Sequence, residues 1–300
     1  MSSGNVLISV VVPTYNYAHY LPRALGSVTS QLEADVELIV VDDGSVDGTA
    51  ELLEEYASRW PSLRVVSQAN AGAAAARNTG IRVARGEYVL PLDADDELTP
   101  GALQALRRAL VAQPALDLVL GAHLSVNPDK REKLRLATPI PQEPARSLIR
   151  QYLLQKRIVM CHSCMLVRRA LLIARPYPES LKAGEDIPVF AYLLVSGRVA
   201  TISEPIARIH KHCDSLRNVR DDEASAMTIV KEVFASLPAA CQGLQPRYKA
   251  QRYLSLFRNS VLAKDWNAAK RFYWLAFTYS PGQALRWGYL RKLPRMLFKG

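Results

Sequence analysis

Short apolar runs alternate with amphipathic helical patterns through the first 120 residues, and this alternation constrains the fold more than any other feature of the sequence. The runs are five or six residues long and rich in Val, Ile and Leu, which is typical of strands buried on both faces. Because parallel strands need a crossover connection, strands separated by helices predict βαβ units and a parallel sheet. The predicted strands are residues 7–12, 36–41, 63–67, 87–92 and 116–120.

Acidic residues follow two of these strands at the point where each strand ends. Asp42 and Asp43 come after the second strand, and Asp93, Asp95 and Asp96 come after the fourth. The carboxyl ends of parallel strands meet at one edge of a sheet, where ligands of such folds bind. Carboxylates this close repel one another unless a cation offsets them, and oxygen ligands suit Mg²⁺ or Mn²⁺. The alternative is a solvated acidic turn that only caps a helix.

Several enzyme classes are excluded by motifs that the chain lacks. No glycine-rich loop follows the first strand, so the sequence has neither a dinucleotide fingerprint nor a P-loop. It also lacks the Gly-x-Ser-x-Gly elbow of the α/β-hydrolases. With 49% apolar and 22% charged residues, the chain is predicted to fold as a globular protein. It has no apolar run of transmembrane length and no signal-peptide pattern at its start, so we expect a cytoplasmic location.

Charge is distributed unevenly along the 300 residues. The first hundred residues carry 6 Lys and Arg against 14 Asp and Glu, and the remainder carries 32 against 14, which gives net charges of −8 and +18. The helical pattern near the end of the chain predicts a domain over residues 1–215 and a helical region over 216–300. The basic, aromatic tail 282–300 is typical either of a peripheral anchor on an anionic membrane or of a terminal helix that packs its apolar side on the domain.

Five short stretches of the chain form a recognisable series: residues 10–16, 40–45, 70–80, 86–96 and 184–186. In their order and spacing they resemble the family 2 glycosyltransferases, which are inverting, use nucleotide sugars and have a GT-A fold. The resemblance implies a mainly parallel sheet flanked by helices, and it leaves the C-terminal helices outside the match. It also implies a nucleoside-diphosphate sugar as donor, with UDP favoured, and Mn²⁺ or Mg²⁺ as cofactor. The acceptor would be a hydroxyl of a glycan or of a lipid-linked acceptor.

The resemblance assigns the nucleoside of the donor to residues that follow the first two strands. Pro13, Thr14 and Tyr15 would line the nucleobase pocket. Either Asp42 or Asp43 would hydrogen-bond the base or the ribose, and the sequence leaves both open.

The resemblance assigns the ribose and the diphosphate to residues further along the chain. Arg77 lies in the stretch that contacts the nucleotide, and Asp93 would approach the ribose. Asp95, together with Asp96, would hold the metal ion on the diphosphate. His210 lies in an Arg-x-His pattern that would meet the diphosphate or the metal. Its neighbour His212 faces the same side of an extended segment and is a competing candidate, and both are alternatively exposed residues of a basic loop.

Asp186 would be the base that deprotonates the acceptor hydroxyl, with Glu185 beside it. An inverting transfer is a single in-line displacement, so it needs one carboxylate on the face opposite the diphosphate. A position at a helix N-terminus favours an ionised carboxylate. The alternative is that both residues only cap the helix that follows them.

Two of the four cysteines, Cys161 and Cys164, have the spacing of a zinc-ligand pair. Segment 159–167 is predicted to be a strand, in which residues three apart point to opposite faces. No second Cys-x-x-Cys pair is present to complete a site. We therefore predict small buried or half-buried thiols and no zinc site.

Two functions from different classes follow from these observations. The first is a metal-dependent, inverting glycosyltransferase that builds a surface polysaccharide, a lipid-linked oligosaccharide or a glycolipid. The second is a non-catalytic module on the same fold that binds an anionic lipid or a nucleic acid through its basic part. The acidic clusters favour the enzyme, because surplus negative charge in the first hundred residues opposes nucleic-acid binding. We expect no nucleic-acid partner.

Overall fold

The computed structural model describes residues 6–211 and 222–291. These residues fall into two compact units. The first unit comprises the described parts of Met1–Pro141, Ile158–Lys182 and Ser196–Ser215. The second comprises the described parts of Gln142–Arg157, Ala183–Val195 and Leu216–Gly300.

Nine strands of the described chain form one sheet in the first unit. The spatial order of the strands is β3-β2-β1-β4-β8-β6-β9-β5, and β7 pairs with β6 outside this path. The strands are β1 (Ile8–Thr14), β2 (Val36–Asp42), β3 (Leu63–Ser67), β4 (Tyr88–Pro91), β5 (Glu97–Leu98), β6 (Leu118–Val126), β7 (Glu132–Arg135), β8 (Met165–Arg168) and β9 (Val199–His210).

Helices flank the sheet and build the second unit. In chain order they are α1 (Leu21–Thr29), α2 (Thr49–Arg59), α3 (Ala73–Val83), α4 (Ala102–Ala112), α5 (Ala145–Ile149), α6 (Arg169–Ala174), α7 (Asp186–Ser196), α8 (Glu223–Ala235), α9 (Ala239–Gln242), α10 (Gln245–Ala263), α11 (Trp266–Tyr279), α12 (Pro281–Ala284) and α13 (Trp287–Leu290).

The sheet is parallel where the sequence alternates most regularly and mixed elsewhere. Strand β1 lies between β2 and β4 and runs parallel to both, and β2 is parallel to β3. These four strands confirm the first four predicted runs. Strand β8 is antiparallel to β4 and β6, and β5 is antiparallel to β9. Strands β1 to β4 are therefore parallel, as predicted. Strands β5, β7 and β8 run antiparallel to the strands they pair with, so the sheet as a whole is mixed.

Two strand predictions differ from the structure near the middle of the chain. The strand predicted at 116–120 begins two residues later and continues to Val126, where it also pairs with β7 and β9. The strand predicted at 159–167 starts only at Met165, because residues His162–Cys164 form a 3₁₀ turn. The expectation that Cys161 and Cys164 point to opposite faces was wrong for this reason.

A buried carboxylate ties the first strands together at the end of the sheet opposite to the acidic clusters. Ser9 Oγ donates to Glu37 Oε1 at 2.6 Å, and Arg85 donates to the same carboxylate from its backbone N and from Nε. Gly86 N in turn donates to Ser9 Oγ at 2.9 Å. A Cβ on Gly86 would lie 2.6 Å from Ser9 N, so only glycine fits this close approach.

The second unit is helical and includes two segments from within the first 215 residues. Helices α10 and α11 form its core with α8 and α12, through mainly aromatic and alanine side chains. Segment Gln142–Arg157 contacts α10, where Gln251 Nε2 donates to Leu153 O at 3.2 Å. The division predicted after residue 215 does not include this segment or Ala183–Val195, since both belong with helices that lie much later in the chain.

As far as the structure describes it, the end of the predicted helical region forms two short helices, α12 and α13. Residues 292–300 of the tail lie outside the described residues. Tyr289 packs against the aromatic core, with its ring centroid 6.3 Å from that of Phe257, whereas Trp287 is 76% exposed. Over the described part of the chain, no helix combines the length and the apolar character that crossing a bilayer requires.

Candidate active site

The acidic clusters meet at one edge of the first unit's sheet, as the sequence predicts. Thr14, the last residue of β1, lies in register with Asp42, the last residue of β2. Asp43 N donates to Thr14 O at 2.9 Å, which continues the pairing beyond the strand ends. Strand β4 is parallel to β1 and leads directly into the acidic turn at residues 93–97.

The two adjacent aspartates after β2 have different environments. The Asp43 carboxylate accepts hydrogen bonds from Gln68 Nε2 at 2.7 Å, Ala71 N at 2.9 Å and Gly72 N at 2.8 Å. It is therefore occupied in fixing the loop that leads into α3. Asp42 Oδ1 accepts from Ser45 N at 3.0 Å, and no other hydrogen bond to this carboxylate occurs among the described residues. Of the two candidates, Asp42 has the greater capacity to bind a ligand.

A glycine allows this loop to turn beside the two aspartates. Gly44 has a φ of +78°, and a Cβ there would lie 2.9 Å from Asn70 N. A residue with a side chain would be strained in this left-handed conformation and would also collide with the backbone of the next loop. The Asp-Asp-Gly-Ser pattern is thus explained by backbone geometry as well as by its carboxylates.

The residues at the end of β1 and directly after it offer both ring-contacting side chains and a buried hydroxyl. Tyr15 is 45% exposed and Pro13 is half-buried, so both can contact a flat ring. Thr14 is buried, and its Oγ1 has no hydrogen-bond partner within the described parts of the chain. A buried hydroxyl without a partner is costly, and a bound ligand that supplies one would relieve this cost.

Arg77 and Asp93 form a partly buried ion pair that joins α3 to the acidic turn. Arg77 Nη2 donates to Asp93 Oδ1 at 2.8 Å, and its guanidinium lies 5.7 Å from the centroid of the Tyr177 ring. On the other side, His162 Nδ1 is 3.8 Å from Asp93 Oδ2. Burial and the neighbouring Arg77 lower the pKa of His162 to about 3, so this imidazole is neutral at physiological pH. The charge on Asp93 is therefore balanced by Arg77.

Asp96 is the buried member of the acidic turn. Its Oδ2 accepts a hydrogen bond from Ser163 Oγ at 2.6 Å, and its Oδ1 accepts one from His210 N at 3.1 Å. Burial raises the pKa of Asp96 well above its ordinary value, and the neighbouring charges of Asp93 and Asp95 raise it further. A cation beside this turn would offset the repulsion, so the donor set fits a bound divalent metal ion.

His210 reaches the acidic turn because β5 pairs with β9. Glu97 lies in register with Arg208, two residues before the histidine. His210 Nε2 lies 3.1 Å from Glu97 Oε1, and burial lowers the pKa of this imidazole although Glu97 opposes the shift. His212, the competing candidate, lies outside the described residues. The structure thus brings His210 together with Asp96 and Glu97.

The chain matches a known protein family over most of the residues of this site. The family model for glycosyl transferase family 2 matches residues 9–175, more than half of the chain. The chain belongs to glycosyl transferase family 2. This confirms the family expected from the five stretches, and the matched residues include every candidate of the first unit except His210 and its alternative His212.

Curated relatives match different shares of this family 2 chain. Bacillus subtilis EpsJ, an uncharacterised glycosyltransferase, is 38% identical over 125 residues, which are 42% of this chain and 36% of EpsJ. The chondroitin synthase of Pasteurella multocida is 34% identical over 123 residues, 41% of this chain and 13% of the synthase. The chain therefore matches well under two thirds of these relatives. Streptococcus pneumoniae GlyG is 25% identical over 264 residues, 84% of this chain and 87% of GlyG.

Solved structures confirm the fold. The crystal structure of S. aureus TarS 1-349 in complex with UDP-GlcNAc has a TM-score of 0.69 at 22% identity, over 90% of this chain and 82% of that one. The structure of TarS 1-349 in complex with UDP has a TM-score of 0.60, over 92% of each chain. The chain therefore has the GT-A fold of family 2, with a mixed sheet, flanking helices and a helical C-terminal region.

Asp186 and Glu185 lie beyond the residues that the family model matches, and both belong to the second unit. Asp186 is the first residue of α7 and is half-buried, whereas Glu185 is buried. Burial raises the pKa of the Tyr152 phenol well above its ordinary value, and the charge of Asp186 raises it further. Partial desolvation and the charge of Arg252 lower the pKa of Lys156, and Asp186 opposes this shift. Asp186 thus interacts electrostatically with two titratable side chains of its own unit, the buried Tyr152 and the exposed Lys156.

Sequence analysis did not identify three residues that contact the acidic turn, nor a fourth that contacts Arg77. His162 and Ser163 approach Asp93 and Asp96, and Tyr177 lies against Arg77. Arg23 of α1 donates from Nη2 to the backbone O of Asp95. His162 and Ser163 stand between the two cysteines, so the Cys-x-x-Cys pattern was the one available indication of this segment.

Proposed function

We propose that this protein transfers a sugar from a nucleoside-diphosphate donor to a hydroxyl of a glycan or lipid-linked acceptor, with inversion at the anomeric carbon. The observation that carries the proposal is the convergence of Asp42, Arg77–Asp93 and the acidic turn at one sheet edge of a family 2 domain. UDP is the nucleotide we favour. The structural neighbour TarS was solved with UDP and UDP-GlcNAc, which supports this choice.

In this proposal the nucleoside binds at the ends of β1 and β2. The Tyr15 ring and Pro13 contact the base, and Thr14 Oγ1 and the Asp42 carboxylate supply hydrogen bonds to the base or ribose. Asp43 acts indirectly, because both of its oxygens already hold the loop before α3. Arg77 hydrogen-bonds Asp93, which faces the ribose of the nucleotide sugar. The ribose would bind next to the base along the sheet edge.

The acidic turn is proposed to hold the metal ion on the diphosphate. Asp95 supplies the carboxylate, and His210 is the second candidate ligand. Asp96 positions the turn, since Ser163 Oγ and His210 N already occupy its two oxygens. Mn²⁺ or Mg²⁺ bound there would neutralise the negative charge that develops on the leaving diphosphate.

Asp186 is proposed as the general base and Glu185 as its neighbour in the motif. The support is the family motif and the position of Asp186 at the first residue of α7, where the helix dipole favours the ionised carboxylate. An inverting transfer needs one base to take the proton of the acceptor hydroxyl as the new bond forms.

We further propose that the tail binds the surface of an anionic membrane, which would bring the enzyme to a lipid-linked acceptor. The described part of the tail exposes Trp287 by 76% and Leu285 by 51%, and Arg286 lies between them. Exposed aromatic and basic side chains together suit the interface of a bilayer with anionic lipids.

The test is a screen of UDP-, GDP- and dTDP-sugars with and without Mn²⁺. Release of nucleoside diphosphate and a thermal shift are measured, and the anomeric configuration of the product is read by NMR. The expected result is metal-dependent turnover of one UDP-sugar with inversion. No binding or turnover of any nucleotide sugar, together with tight binding to anionic vesicles or nucleic acid, would support the non-catalytic alternative.

A further inference from the structure

A cluster of three soft ligands lies in the first unit, and the glycosyltransferase function does not use it. The side-chain ligand atoms of His123, Cys161 and Cys164 all lie within 4.8 Å of one another. Cys164 is buried, whereas His123 and Cys161 are half-buried. Among the described residues, no fourth His, Cys, Asp or Glu joins this group.

Two local features of the backbone bring these side chains together. Residues His162–Cys164 form a 3₁₀ turn, in which positions three apart lie on the same side, so both thiols face one way. His123 comes from β6, and the register of β6 against β9 shifts on both sides of Ala122, immediately before the histidine. Such an irregularity re-aims the side chains that follow it.

Although the sequence predicts no zinc site, we propose that His123, Cys161 and Cys164 bind one Zn²⁺ ion, with a water molecule as the fourth ligand. Two thiolates and an imidazole are the ligand types that zinc prefers, and three protein ligands with one open position are a known arrangement for zinc. On binding, each thiol releases its proton to solvent and both sulfurs coordinate the metal. The oxygen-rich acidic turn has a different preference, for Mg²⁺ or Mn²⁺.

The zinc ion would also rigidify the segment that supports the acidic turn. Ser163, between the two cysteines, donates to Asp96 and accepts from Asp93 N at 3.3 Å. His162 lies 3.8 Å from the Asp93 carboxylate. The same turn therefore carries zinc ligands on one side and contacts to Asp93 and Asp96 on the other. Zinc is in this sense a positioning element for donor binding, and this part of the inference rests on the proposed function.

The binding experiment measures metal content by mass spectrometry after zinc loading and gel filtration under reducing conditions. We expect one zinc per wild-type chain, and less than a tenth of that for Cys161→Ser and Cys164→Ser. The control is Cys241→Ser, which removes a buried cysteine of the second unit and should leave the zinc content unchanged. Equal loss in the control, or no zinc in a folded wild-type chain, would overturn the site.

Cobalt substitution tests the ligands without any variant. Co²⁺ in the site should give sulfur-to-cobalt charge transfer in the near ultraviolet and the strong visible bands of a tetrahedral complex. Co²⁺ that binds without the sulfur band would not be held by the cysteines, and this result would refute the proposal. This result does not depend on whether the cysteine variants fold.

The positioning role is tested by UDP affinity in excess Mg²⁺, before and after zinc is removed with a zinc-selective chelator. We expect the affinity for UDP to fall about tenfold and to return when zinc is restored, because a group that orients binding residues from outside has effects of this size. Unchanged affinity in the zinc-free protein would overturn the positioning role. If zinc binds through sulfur but UDP does not bind at all, the zinc site stands and the proposed function fails.

Discussion

Arg77 Nη2 donates to Asp93 Oδ1 at 2.8 Å, and this ion pair joins the alanine-rich helix α3 to the acidic turn after β4. The side chain of Arg77 is 8% exposed and that of Asp93 is 32% exposed. The pair therefore holds the acidic turn from inside the first unit, at the edge where the donor is proposed to bind.

Arg77→Met should weaken both the fold and donor binding. Removing the guanidinium leaves the Asp93 carboxylate without its charge-balancing hydrogen bond, which costs about 1–3 kcal/mol of unfolding free energy. Urea titration measures that loss, and calorimetry should show UDP binding weakened by at least tenfold. Arg82→Met on the same helix is the control, because Arg82 is exposed and donates to Thr79 at the surface. Equal effects in both variants would contradict a special role for the Arg77–Asp93 pair.

Asp95→Ala should abolish transfer and the metal dependence of donor binding while the protein stays folded. The motivation is that Asp95 is a half-buried carboxylate in the middle of the acidic turn. The measurement is UDP-sugar turnover across a Mn²⁺ titration, with circular dichroism as the check on folding. Asp129→Ala removes an exposed carboxylate outside the turn and should behave as wild type. Normal turnover in the Asp95 variant would disprove the metal assignment.

Asp186→Asn should eliminate transfer and leave donor affinity within about twofold of wild type, because the proposed base acts on the acceptor and not on the nucleotide. Single-turnover transfer and UDP-sugar affinity are measured on the same preparation. Glu185→Gln, one residue earlier, should retain part of the activity. If donor affinity collapses in the Asp186 variant, or if transfer continues at the wild-type rate, another residue is the base.

Glu37→Gln should reduce stability in a pH-dependent manner. Burial raises the pKa of Glu37, but hydrogen bonds from Ser9 and Arg85 outweigh it, so the pKa lies below its ordinary value of 4.5. The carboxylate then stabilises the fold fully above the unfolded-state pKa, and this contribution is lost as the pH falls through the folded-state pKa.

The expected loss in Glu37→Gln is about 1–3 kcal/mol at neutral pH, typical of a broken buried hydrogen bond, and it should shrink below pH 4.5. Urea unfolding from pH 7 to pH 3 measures the trend. Glu54→Gln, an exposed residue of α2, should show no such pH dependence. A difference that grows on acidification would contradict the sign.

The double variant Leu285→Ser/Trp287→Ser should lower binding to vesicles that contain anionic lipid, while transfer to a soluble acceptor is unchanged. Both side chains are exposed, whereas their neighbours Ala284 and Tyr289 pack in the helical core, so deleting the whole tail would disturb the fold. Each basic residue near an anionic bilayer contributes roughly 1 kcal/mol, which salt weakens. Sedimentation with vesicles at two salt concentrations measures the effect. Trp274→Ser, another exposed tryptophan, is the control.

The sequence by itself determined the first four strands, the edge at which their acidic ends meet, and the family. Periodicity and strand length report whether a single segment is buried. Strands β1, β2 and β4 are buried as their composition requires, whereas the edge strand β3 is only partly buried. The order and spacing of the five stretches then identified family 2, which the family model confirmed.

Only the tertiary structure decided how neighbouring residues divide their roles. Asp42 and Asp43 are equivalent in sequence, yet three donors from the loop before α3 occupy Asp43 alone. The 3₁₀ turn before β8 set both cysteines on one side, where a strand was predicted, and brought them to His123, 38 residues earlier than Cys161. These outcomes depend on which distant backbone donors and side chains lie beside a segment. The packing of the whole unit determines these neighbours, and local periodicity carries no information about them.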